Sequence, residues 1–112
     1  MGGNGWLSLV SLCAAIAALS GCMSAAPANG AQAGEKVYDE QKCRLCHSIG
    51  GAGNRRNPLD GVGSRLDDES IRKWIVAPQE MKPGVKKKAY SDLPAEQIDA
   101  LVAYLKSLQT AE

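Results

Sequence analysis

The chain has 112 residues, with 13 Lys and Arg against 12 Asp and Glu and a formal net charge of +1. Such a balance bounds it to one small domain and argues against nucleic acid, which calls for a basic surface. Phe is absent and aromatics make up 4% of the residues, so a chain this short lacks the bulk to fill a core unaided.

Residues 1–21 read as an export signal. Residues 6–19 are apolar or small and uncharged, too short to span a bilayer comfortably and close to a secretory h-region in length. They lead into Leu19-Ser20-Gly21-Cys22, which resembles a bacterial lipobox with Cys22 as the lipidated new N-terminus. The departure is residues 1–5, which carry no Lys or Arg. Ala31-Gln32-Ala33 offers a rival cleavage site that would release a soluble periplasmic protein, and an uncleaved membrane anchor is a third arrangement. The lipobox is preferred because it abuts the h-region. All three place the domain outside the cytoplasm, and a lipid on Cys22 would tie it to a membrane.

Residues 22–33 are small and uncharged and read as a flexible tether, leaving residues 34–112 as the folded domain. Residues 34–42 have a helical pattern, with Gly34, Val37 and Tyr38 on one face and Glu35 near the positive N-terminal end.

That helix delivers Cys43-Arg44-Leu45-Cys46-His47. Two thiols two residues apart can add across the vinyl groups of a haem, and an imidazole beside them can bind the iron. With two intervening residues the chain makes about one turn, so both sulfurs face one edge of the macrocycle. A zinc half-site is the first alternative, but tetrahedral zinc wants four ligands and no other Cys or His follows residue 22. A thioredoxin-like redox pair would sit in an alternating strand and helix pattern, which is missing here. The cysteine count then closes: Cys13 lies in the h-region, Cys22 is the lipidation candidate, and Cys43 and Cys46 hold one covalent haem.

Residues 48–66 form a long Gly-rich stretch, bent by Asn57-Pro58, whose length is reasonable if it wraps a flat cofactor. Residues 67–77 read as a helix, with Asp67, Asp68 and Glu69 at its start, Ile71, Trp74 and Ile75 on one face, and Pro78 to stop it. Trp74 is either core or a donor from its indole N–H to a haem propionate. Met81 falls in Gln79-Glu80-Met81-Lys82-Pro83-Gly84, which reads as an extended loop able to present a thioether across the iron from His47. Lys82, Lys86, Lys87 and Lys88 form a basic cluster, read as either a solvated face or a surface steering an acidic redox partner. Residues 94–110 give the clearest helix, with Ile98, Leu101, Val102, Leu105 and Leu108 in a 3.6-residue repeat. No stretch makes a convincing strand, so the expected fold is all-α.

Residues 34–112 resemble a bacterial class I c-type cytochrome through Cys43-x-x-Cys46-His47, the loop Pro58-Leu59-Asp60-Gly61-Val62-Gly63, a Trp74-bearing helix, Met81 and the ending Leu101-Val102-Ala103-Tyr104-Leu105. The resemblance implies that the first and last helices cross beside the haem, with Gly34 and Tyr38 on Leu101, Tyr104 and Leu105. It also implies that the carbonyl of Pro58 accepts the Nδ1 hydrogen of His47. Many members place a residue between that Pro and Leu, whereas Pro58 and Leu59 are adjacent here, which leaves the acceptor open by one position.

The expected function is transfer of one electron by a monomeric carrier whose iron is held by His47 and Met81. The alternatives are a haem-based gas sensor or peroxidase-like enzyme with an open sixth position, or a haem subunit of a larger respiratory complex.

Overall fold

The computed structural model describes residues 26–110. The leader 1–21, the lipidation candidate Cys22 and residues 23–25 of the expected tether lie outside them. Among the described residues five helices surround one core: α1 (Ala26–Glu40), α2 (Val62–Arg65), α3 (Asp68–Val76), α4 (Pro78–Met81) and α5 (Ala95–Ser107). A 3₁₀ turn, Cys43–Leu45, and an antiparallel pair of two-residue strands, β1 (Ser48–Ile49) and β2 (Ala52–Gly53), complete the order. The domain is mostly helical, as expected, but the Gly-rich stretch is more ordered than a bare loop. Gly50, Gly51 and Gly53 take positive φ, the conformation that turns this small hairpin at no steric cost.

The repeat in α5 does what its spacing predicts, burying Ile98, Leu101, Val102 and Leu105. Pro94, expected inside the first turn, stands just before it with φ −54° and ψ 144°. The helix ends at Ser107 and not at residue 110 because the chain there docks on α2. Gly63 N donates to Leu108 O (2.9 Å), and Thr110 N donates to Ser64 Oγ (2.8 Å). Lys106 Nζ reinforces the joint through Gly63 O (2.9 Å) and Leu66 O (3.0 Å).

Helix α1 crosses α5 with Val37 and Tyr38 buried. A Cβ on Gly34 would lie 2.0 Å from Ala100 O and 2.4 Å from Tyr104 Cβ, so the backbones touch where only glycine fits. Tyr38 and Tyr104 meet edge to face, centroids 5.8 Å apart. The helix begins at Ala26, so residues 26–33 of the expected tether are helical and Glu35 lies mid-helix. Small residues read as tether because they lack bulk, yet along a helix crossing small size permits close approach. Gly30 lies beside Ala103, where a Cβ would sit 3.6 Å from the Ala103 Cβ.

Helix α3 starts where its acidic cluster places it. Asp67 caps it by accepting Ser70 N at 2.7 Å, Asp68 and Glu69 occupy the first turn, and Lys73 sits in the last. That cap holds the Asp67 carboxyl below its ordinary range, chiefly through the Ser70 backbone hydrogen bond. Pro78 ends α3 and also opens α4 as its first residue, since a helix start leaves an N–H unpaired and proline has none to leave. Gln79-Glu80-Met81 is therefore helical and not the extended loop that its Pro and Gly content suggested.

Candidate haem site

Between α1, α2, α3, α5 and the segment after α4 lies a cavity of about 560 Å³. Its walls are mainly aliphatic: Leu59, Val62, Leu66, Ile71, Ile75, Leu101 and Leu105. The volume falls within the roughly 300–1,000 Å³ common for cofactor sites. Cys43, Cys46 and His47 line one part of it, and neither cysteine is disulfide-bonded.

The backbone holds these three in place. Lys42 adopts a left-handed φ of 56°, turning the chain sharply out of α1, and is the only non-glycine with positive φ among the described residues. Such a conformation costs an L-residue roughly 1–2 kcal/mol, which the following turn must offset. In that turn Cys46 N and His47 N both donate to Cys43 O, at 3.1 and 2.9 Å. Asn54 N then donates to Arg44 O (3.1 Å) and His47 O (3.0 Å). Gly53 makes that approach possible, since a Cβ there would lie 2.2 Å from His47 O. Arg44 also pairs with Asp39 at the end of α1.

His47 Nδ1 lies 3.2 Å from the backbone oxygen of Asn57. A carbonyl can only accept, so Nδ1 carries the hydrogen and Nε2 keeps a lone pair for a metal. The implied acceptor Pro58 is thus corrected to Asn57, one position earlier, as the adjacency of Pro58 and Leu59 allowed. Pro58 itself forms an isolated bridge with Ser48. Asn57 does more than accept: its O also takes Ser48 N (3.2 Å), and its Nδ2 donates to Cys46 O (3.1 Å). Sequence reading missed this residue, although its position two residues before Leu59 was the available signal.

Burial governs the electrostatics. It lowers the pKa of His47, partly countered by the Asn57 hydrogen bond, with the positive charge of Lys87 lowering it further. Burial raises the Cys43 thiol, which Lys87 opposes. Burial also pushes Tyr38 up to about 12, and its hydroxyl is buried without a hydrogen-bond partner among the described residues.

Trp74 and Tyr90, both half-buried, line the cavity, as does the buried Tyr38. Met81 is not brought to it. As the last residue of α4 it is half-buried but absent from the cavity wall, because Pro78 starts a helix where an extended chain was expected. The basic cluster also divides: Lys82 is exposed and off the cavity wall, whereas Lys86, Lys87 and Lys88 all line it, Lys86 and Lys88 exposed and Lys87 half-buried.

An apolar cavity, two unbonded thiols one turn apart and an imidazole with a free Nε2 fit a covalent haem, with Cys43 and Cys46 holding it and His47 as the iron ligand. The family model for cytochrome c matches residues 31–109. The chain belongs to the cytochrome c family. That membership implies a covalent haem c and haem-based electron transfer. The chain is also 36% identical over 91 residues to cytochrome c oxidase subunit 2 of Alkalihalophilus pseudofirmus, covering 73% of this chain and 27% of the relative. It is 30% identical over 95 residues to the protein of the same name from Bacillus sp. strain PS3, covering 70% and 26%. The chain thus spans about a quarter of the length of the curated relatives it matches.

Proposed function

We propose that this cytochrome c domain is a one-electron carrier. The observation that carries the reading is His47, with Nδ1 tied to Asn57 O at 3.2 Å, on the wall of a cavity that also presents Cys43 and Cys46. When bound, the haem supplies the ferrous and ferric states between which the electron passes. The chain's residues keep that change free of bond-breaking chemistry. The Asn57 carbonyl fixes the imidazole's orientation and donor strength, and the aliphatic walls exclude water. Burial also disfavours the added charge of the oxidised state, which raises the potential.

Lys82, Lys86 and Lys88 form the exposed basic surface for an acidic redox protein, and the monomer works on the periplasmic side, lipid-anchored through Cys22. A second reading, favoured by the relatives named cytochrome c oxidase subunit 2, is a haem domain that serves a terminal oxidase as one of its parts. Co-purification with an oxidase at fixed stoichiometry supports the second reading, and a freely exchanging monomer supports the first.

The test is a redox titration of the matured protein after haem staining of the denatured chain. Covalent haem, a single one-electron wave and no turnover of peroxide are expected. Rapid peroxide turnover by the ferric protein would refute the carrier in favour of an enzyme.

A further inference from the structure

The segment after α4 closes the cavity and is pinned at both ends. Val85 O accepts from Gln79 Nε2 (3.1 Å), and Tyr90 N donates to Ile75 O (2.9 Å). Successive side chains of an extended chain point to opposite sides. Exposure alternates in that way here, with Val85 and Lys87 half-buried and Lys86 and Lys88 exposed.

Once Cys43, Cys46 and His47 are assigned, the cavity wall offers amines, phenols, the Trp74 indole, which has no lone pair to give, and the Asn57 carboxamide, which is hydrogen-bonded to Cys46 O, but no thioether. Lys42, Lys86 and Lys88 are exposed. Tyr38 is packed against Tyr104 at the α1–α5 crossing, and the Tyr90 ring lies under the Lys87 and Lys88 ammonium groups, 5.2 and 4.8 Å from its centroid. Lys87 is the one amine of the wall that is half-buried. Its Nζ is held by Lys88 O at 3.2 Å, on a four-carbon stem that can swing without moving the pinned loop.

We propose that Lys87 Nζ, and not a thioether, is the second axial ligand of the iron in the haem-loaded protein. This deepens the carrier reading and rests on it. The bond forms from the amine lone pair to the metal; the ammonium first gives one proton to solvent, and no electron changes hands. An amine is a harder donor than a thioether, so it favours ferric iron. The carrier then works at a lower potential than a Met/His site in the same cavity.

The experiment compares ferric holoproteins of the wild type, Lys87→Ala, Lys87→Met and Met81→Ala by visible absorption and electron paramagnetic resonance. Covalent haem is first checked on denatured chains, and its absence from the wild type would fail the carrier reading itself. Given haem, the wild type is expected to be low-spin without the far-red sulfur-to-iron charge-transfer band. Lys87→Ala becomes largely high-spin, and Met81→Ala keeps the wild-type spectrum. Lys87→Met gains the sulfur band and shifts the redox equilibrium toward ferrous iron at least tenfold, about 59 mV for one electron. A sulfur band in the wild type that Met81→Ala abolishes would overturn the proposal. So would a high-spin wild type, or a Lys87→Ala resonance identical to a low-spin wild type.

Discussion

Replacing Gly34 by Ala tests the crossing that shapes one wall of the cavity. The new Cβ would lie 2.0 Å from Ala100 O and 2.4 Å from Tyr104 Cβ, against ordinary contacts of 3.4–4 Å, so α1 and α5 must part by more than an ångström. Overpacking of this kind costs about 1–3 kcal/mol. Alanine also gains about 1 kcal/mol of helix propensity over glycine, which hides part of that cost. Gly30 supplies the internal control. It lies in the same helix, and its Cβ would meet Ala103 Cβ at an ordinary 3.6 Å, so Gly30→Ala should keep the propensity gain without the clash. The difference between the two variants isolates the crossing. At roughly 4–8 °C per kcal/mol for a domain of this size, their midpoints should differ by roughly 4–24 °C, with Gly30→Ala the higher. Thermal unfolding of the haem-loaded proteins by far-ultraviolet circular dichroism reads it. If both variants melt together, or Gly34→Ala melts above the wild type, the close crossing is not what holds these helices.

Asp67→Ala should lower the melting temperature at neutral pH, with a gap to the wild type that closes in acid. The Ser70 backbone hydrogen bond holds the folded carboxyl below the ordinary aspartate range, so its contribution is full above the unfolded pKa and disappears as pH falls through the folded one. A gap that is unchanged in acid would remove the cap as its cause. Asn57→Ala removes the 3.1 Å bond to Cys46 O but leaves the backbone acceptor of His47. It should cost about 1 kcal/mol in denaturant unfolding while shifting the redox equilibrium less than about twofold. A tenfold redox shift would show that the side chain, and not the carbonyl, orients the imidazole. Neutralising Lys86 and Lys88 together should slow electron transfer to an acidic partner severalfold at low ionic strength and little at high. Stopped-flow rates that ignore salt in both proteins would remove the steering surface.

Much of the site was legible because its chemistry is local. Cys43, Cys46 and His47 fall within five residues, and a single turn brings them together whatever the rest of the chain does. Helix α3 was equally plain, since Asp67, Asp68, Glu69 and Pro78 mark its ends within the segment itself. Helix α1 was read short, because residues 26–33 show no amphipathic stripe in the sequence, and the close approach to α5 at Gly30 and Gly34 depends on small size and not on bulk. The hairpin of β1 and β2 escaped notice because two-residue strands are too short to show alternation.

Sequence alone determined the haem attachment motif, the buried stripe of α5 and the need for a bound group in a chain without Phe. Each depends on residue type and short-range spacing. Tertiary structure decided that Asn57 and not Pro58 meets His47, that Met81 stays off the cavity wall, and that Lys87 turns inward between two exposed lysines. Those outcomes depend on where Pro78 starts a new helix and where the Ile75 and Gln79 anchors hold the returning chain. Such restraints join residues far apart in the chain, and no local pattern in residues 82–90 records them.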